Sequence, residues 1–81
     1  MKIEIFGPGC YRCQATEENL RKALEALGLE AQLTHISDPR EFARRGVVFT
    51  PAIVIDGRVQ SSGRIPEVEE ICTWLAGRRA A

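Results

Sequence analysis

An α/β fold with the element order β-α-β-α-β-β-α is what this chain predicts, on three observations. Short apolar stretches that alternate or run continuously are separated by longer stretches in which apolar residues recur at three- and four-residue steps. Glycine, proline or aspartate punctuates the changes of period. One Asp56-Gly57 dipeptide, with strand-like residues on both sides, marks a tight hairpin late in the chain. The expected result is a four-stranded mixed sheet with helices on both faces. Its first three strands are expected to be parallel where β-α-β crossovers join them, and the hairpin adds an antiparallel edge strand.

Residues 2–6 alternate polar and apolar around β-branched Ile3 and Ile5, which is a strand pattern. Gly7-Pro8-Gly9 breaks it. From Tyr11 to Leu27 the period is helical, with Ala15 or Thr16, Leu20, Ala23, Leu24 and Leu27 as the inner stripe and Gly28 as the stop. Residues 29–36 read as the second strand. Asp38-Pro39 with Glu41 is a helix start, with Asp38 as N-cap, Pro39 at the first position and Glu41 reaching back. That helix is short, running to about Arg45 before Gly46. Residues 52–55 and 58–61 are the two hairpin strands, and Ile53-Val54-Ile55 suits a strand covered on both faces. Pro66 precedes the last helix, whose inner stripe is Val68, Ile71, Cys72 and Leu75, with Trp74 closing one edge. Gly77 is expected to end it, leaving residues 77–81 as a frayed tail of a single domain spanning 1–81.

Composition narrows the function classes. Eleven basic and eleven acidic side chains give zero formal charge, so the electrostatic footprint of a dedicated nucleic-acid binder is missing. The Arg44-Arg45 and Arg78-Arg79 pairs are expected to be solvated. No apolar run approaches a membrane span, and Glu4 interrupts the place where a signal peptide would be apolar. A cytoplasmic location is expected. Three cysteines, an odd number with only one close pair, do not make a secreted disulfide scaffold.

That close pair, Cys10-Tyr11-Arg12-Cys13, sits where the first strand hands over to the first helix. A thiol at a helix N-terminus meets orphan N–H groups and the positive end of the dipole, which favour the reactive thiolate. Cys10 is therefore the expected nucleophile, with Arg12 adding positive potential. Cys13, almost one turn later and facing inward, is placed to resolve a mixed disulfide. A metal reading competes, because two thiolates suit a soft ion such as Cu(I) or Zn(II). A structural zinc site would want four ligands, and no second pair exists.

Three features fall in register along the chain. They are Cys10-Tyr11-Arg12-Cys13; Thr50-Pro51-Ala52 running into Ile53-Val54-Ile55-Asp56-Gly57; and Ser62-Gly63 ahead of the last helix. In that order they resemble the thioredoxin fold, at about the length of a glutaredoxin. More narrowly, the chain is similar to small thioredoxin-like redox-active disulfide proteins of bacteria and archaea. Those open with a Lys-Ile-x-Ile-type strand and Gly-x-Gly-Cys, and carry Gly-Arg after strand four, matched by Gly63-Arg64.

The resemblance implies that the Thr50–Pro51 bond is cis and packs beside both cysteines, turning the Thr50 backbone toward the sulfurs. A substrate chain would pair there as an extra strand. It implies a thiol–disulfide oxidoreductase with no cofactor beyond a Cys10–Cys13 redox-active disulfide. Its partners would be a protein disulfide substrate and an external reductase or thiol reductant. Tyr11, Arg12, Thr50, Pro51, Ser62 and Gly63 are the expected substrate-binding residues. Tyr11-Arg12 departs from the Gly-Pro of thioredoxins and the Pro-Tyr of glutaredoxins. In glutaredoxins the backbone equivalent to Ser62-Gly63 helps hold the glutathione carboxylate. Here Ile65-Pro66 intervene and the usual Gly-Gly with acidic residues is missing, so glutathione stands as an alternative reductant. Glu4 is expected to be an ordinary strand glutamate, with the buried proton acceptor of thioredoxins as the alternative. Cys72 is expected to be structural, and His35, the only histidine, to need no chemistry. A redox-sensing or docking partner of a larger enzyme or transporter is the other functional reading, because the same disulfide would serve it.

Overall fold

The computed structural model describes residues 1–9 and 11–79, the last two by backbone alone. The elements are β1 (Lys2–Phe6), α1 (Tyr11–Leu27), β2 (Gln32–Ile36), α2 (Pro39–Arg44), β3 (Ala52–Ile55), β4 (Arg58–Ser62) and α3 (Val68–Arg79). The sheet order is β2-β1-β3-β4. β1 and β2 are parallel, whereas β3 runs antiparallel to β1 and β4 antiparallel to β3. Only the first crossover is thus a parallel β-α-β unit, and the expectation of three parallel strands is corrected. Residues 37–51, α2 included, leave the end of β2 and return to that same end, so β3 starts where β2 stopped and runs back along β1.

Strand alternation divides the core in two. Ile3 and Ile5 of β1 and Ile53 and Ile55 of β3 face Leu20 and Ala23 of α1 and Ile71 and Leu75 of α3. Each of these fully buried isoleucine and leucine side chains contributes about 1.5–3 kcal/mol of transfer free energy. The opposite face carries Phe6, Ala52 and Val54, covered by Val47 and by Phe42 of α2. The Phe6 and Phe42 rings meet edge to face at 5.9 Å. β3 is therefore buried on both sides, as its unbroken apolar run predicts.

Helix ends follow local chemistry. At the C-terminus of α1, Leu29 N–H donates to the Leu24 carbonyl and Gly28 N–H to the Glu25 carbonyl, a Schellman arrangement. Asp38 caps α2 by accepting from Arg40 N–H at 3.0 Å. Glu41 does not reach back as expected; its carboxylate pairs with Arg44 instead. The hairpin turn places Asp56 (φ 49°) and Gly57 (φ 85°) both in the left-handed region, as a type I′ turn requires. β4 carries an irregularity: Val54 opposes Val59 but Ile53 opposes Ser61, so Gln60 is an extra residue, a bulge. α3 continues through Gly77 to Arg79, so Gly77 does not end it as expected. Gly77 lacks the positive φ that would make it a left-handed stop. Residues 80 and 81 lie outside the described residues.

The start of α3 is closed by a half capping box. Glu67 N–H donates to Glu70 Oε1 at 3.1 Å, and Arg64 grips the same carboxylate through two bonds of 2.8 and 2.7 Å. The Arg64 bonds, then the backbone donor, pull the Glu70 pKa from 4.5 to about 2. A depressed native value means that the unfolded chain binds this proton more readily. The contribution to stability is therefore complete above about pH 4.5 and is lost as pH falls through about 2. Carboxyl NMR titration should place the Glu70 midpoint near 2, and Arg64→Gln should move it up toward 4.5.

Candidate active site

β1 ends by delivering Gly7 to the end of β2. Gly7 N–H donates to the Ile36 carbonyl at 3.0 Å, and the Gly7 carbonyl lies 3.0 Å from His35 Nε2. α1 begins at Tyr11, and Cys10 is the residue directly before it in sequence. Cys10 itself, the expected nucleophile, lies outside the described residues. Cys13 is in the first turn of α1 and is 1% exposed. Its sulfur occupies the space that a side chain on residue 7 would need: a Cβ built on Gly7 would collide with Cys13 Sγ and stand 3.8 Å from Thr50 Cβ. Gly7, Cys13 and Thr50 thus meet at one point.

No acidic residue lies in the first turn of α1. No carboxylate of that turn therefore offsets the positive end of the helix dipole, which favours an anionic sulfur. Arg12 is in the same turn, and its Nη2 donates to the Gly63 carbonyl at 3.0 Å. Gly63 N–H in turn donates to the Pro51 carbonyl at 3.0 Å, and Ser62 Oγ to the Phe49 carbonyl at 2.7 Å. The Thr50–Pro51 peptide is cis, and Pro51 is fully buried. Hydrogen bonds therefore join three of the stretches singled out in the sequence: the motif through Arg12, the Thr-Pro loop, and Ser62-Gly63. Tyr11 makes no such bond; it is 76% exposed, with Val48 and Phe49 also strongly exposed.

Glu4 takes a different course. One residue out of phase with Ile3 and Ile5, it shares the face of Phe6, away from α1. Its buried carboxylate accepts from Arg45 Nη1 at 2.8 Å and Nη2 at 3.1 Å. The Arg45 guanidinium also lies 5.7 Å from the centre of the Phe6 ring. Arg45, expected to be solvated, is instead the lid on this carboxylate; a lone double arginine in sequence carries no sign of that. Cys72 is half-buried against the α1–α3 core as a free thiol. Among the described residues no group of three His, Cys, Asp or Glu side chains could hold a metal ion, and no helix is long and apolar enough to cross a membrane.

The pattern reading missed Gly7 as a contact of the sulfur, Phe49 as an acceptor, and His35 as a donor. Gly7 was visible as a breaker, but its close approach to Cys13 is set by packing. His35 required the β1–β2 register, in which it stands opposite Ile5.

Known proteins match this sequence over most of its length. The sequence profile of the family described as "Thioredoxin domain" matches residues 1–76. A protein of Methanocaldococcus jannaschii named "Thioredoxin" is 44% identical over 69 residues, covering 85% of this chain and 79% of its own. A second "Thioredoxin", from Methanothermobacter thermautotrophicus, is 37% identical over 71 residues, covering 88% and 92%.

Two substitutions test the packing. Gly7→Ala should destabilise the protein by about 1–3 kcal/mol in chemical denaturation, the usual cost of overpacking a filled site. Arg45→Met should cost about 2 kcal/mol at neutral pH, because it strands a buried carboxylate without its two donors. The figure is held down because Arg45 is itself 37% exposed and water can reach the site.

Proposed function

The chain belongs to the thioredoxin domain family, and we propose that it reduces protein disulfides through Cys10 as attacking thiolate and Cys13 as resolving thiol. It is a thiol–disulfide oxidoreductase. The observation that carries the residue assignment is the placement of the Cys13 sulfur. It is buried in the first turn of α1, three residues after Cys10, against Gly7 and beside Thr50.

The Cys10 thiolate attacks one sulfur of a substrate disulfide. That bond breaks, the other substrate sulfur leaves as a thiolate, and a mixed disulfide forms. Cys13 loses its proton and attacks the Cys10 sulfur, so the second substrate thiolate leaves and a Cys10–Cys13 disulfide remains. Two electrons have passed to the substrate. An external reductase or thiol reductant returns two electrons and two protons, and glutathione is the alternative small donor. The cycle uses no cofactor beyond the two sulfurs. A reducing, cytoplasmic setting suits a thiol that must be reset, and residues 1–81 work as one domain.

Substrate would lie over Thr50 and Pro51, with the Thr50 backbone pairing to an extended chain and exposed Tyr11, Val48 and Phe49 supplying apolar contact. Arg12, Ser62 and Gly63 border that surface; their bonds to one another and to the Thr-Pro loop hold its shape.

Dithiothreitol-driven insulin reduction tests the reading. Wild type should accelerate it well above background, and Cys10→Ser should abolish the gain. Cys13→Ser should accumulate a mixed disulfide with substrate, seen as an adduct by mass spectrometry. A Cys10→Ser variant as active as wild type would remove the assignment.

A further inference from the structure

We propose that His35, at the end of β2, is a positioning residue for the loop that carries the redox pair. This rests on the reading of Cys10 and Cys13 as that pair. A carbonyl oxygen can only accept, so the 3.0 Å contact makes His35 Nε2 the protonated nitrogen and Gly7 its acceptor. The neighbouring Ile36 carbonyl takes the Gly7 N–H at 3.0 Å. Two consecutive residues of β2 thereby hold both backbone polar groups of a residue whose Cα lies against the Cys13 sulfur.

The ring also extends under the far end of the loop. His35 Cε1 is 3.7 Å from where a Cβ on Gly9 would sit, and Gly9 directly precedes Cys10. This segment needs an external hold. Gly7 and Gly9 give it a soft backbone, and Pro8 has no N–H to donate. Among the described residues, the other side-chain bond that residues 7–9 receive, from Gln14 to the Gly9 carbonyl, is long at 3.5 Å. His35 thus supplies the shorter of the two. By drawing the Gly7 carbonyl toward β2, it keeps Gly7 seated on Cys13 and fixes the path of the chain into Cys10.

The test compares wild type with His35→Gln, whose amide can donate, and His35→Leu, which fills space without a donor. Nitrogen NMR of wild-type His35, at a pH where the ring is neutral, should show the Nε2-protonated tautomer; the Nδ1-protonated tautomer would overturn the proposal. In the reduced protein, alkylation by iodoacetamide and insulin reduction should both slow about three- to tenfold in His35→Leu, the equivalent of one net hydrogen bond. His35→Gln should recover most of that rate. A His35→Leu variant as fast as wild type, or a glutamine variant as slow as the leucine one, would overturn it. If His35→Leu does not fold, the tautomer and the glutamine variant decide. Wild type that reduces no insulin would remove the oxidoreductase reading, while the tautomer and the alkylation rates would still decide the role of His35.

Discussion

Cys13 can bring its sulfur against the end of β1 only because residue 7 has no Cβ. That single close approach ties the first turn of α1 to the strand that precedes it, and the rest of the site is assembled around it. Gly7 is held by the backbone and side chain of β2. Thr50 closes on the same point from the other side, and the Thr-Pro loop is bonded in turn to the residues that end β4. Arg12 completes the circuit from α1 to Gly63. A sulfur held in this way, rather than on a mobile arm, suits the resolving role proposed for it, since such an attack depends on being held close and aligned.

The sheet keeps two jobs apart. On one face, interlocking aliphatic side chains fasten α1 and α3 to β1 and β3 and so set where the first turn of α1 points. On the other, a half-buried ion pair and two phenylalanine rings fasten the short α2. The Glu4 carboxylate belongs to this second set, where its two charge-assisted bonds to Arg45 offset the cost of burying it. Its role is read from those bonds, which differ from the arrangement of a carboxyl left without a cation.

Much of this was legible before any coordinates. The periods of α1 and the unbroken run of β3, the Asp38-Pro39 cap, and the Asp56-Gly57 turn each express a local rule, and each appears where that rule puts it. What escaped was non-local. The direction of β3 is expressed in its pairing with β1, a contact between residues some fifty apart that no local pattern contains. The pairing of Glu4 with Arg45 joins residues 41 apart, and the contact of His35 with Gly7 joins residues 28 apart. Gly77 shows the limit of the strongest punctuation: a glycine near a helix end stops the helix only when it takes the left-handed conformation, and this one does not. Of the candidate site, the stretches that bear chemistry were visible as motifs. The bonds connecting them were not, because they run from side chains and an N–H to main-chain carbonyls distant in sequence.

The extra residue in β4 has a bearing on how such a small protein behaves when crowded. β4 is the outermost strand on the side of the hairpin, and its free rim is where a stray extended chain could add itself to the sheet. Gln60 breaks the even spacing of donors and acceptors along that rim and coils it locally. The outermost strand therefore makes a poor template for stacking one molecule on another.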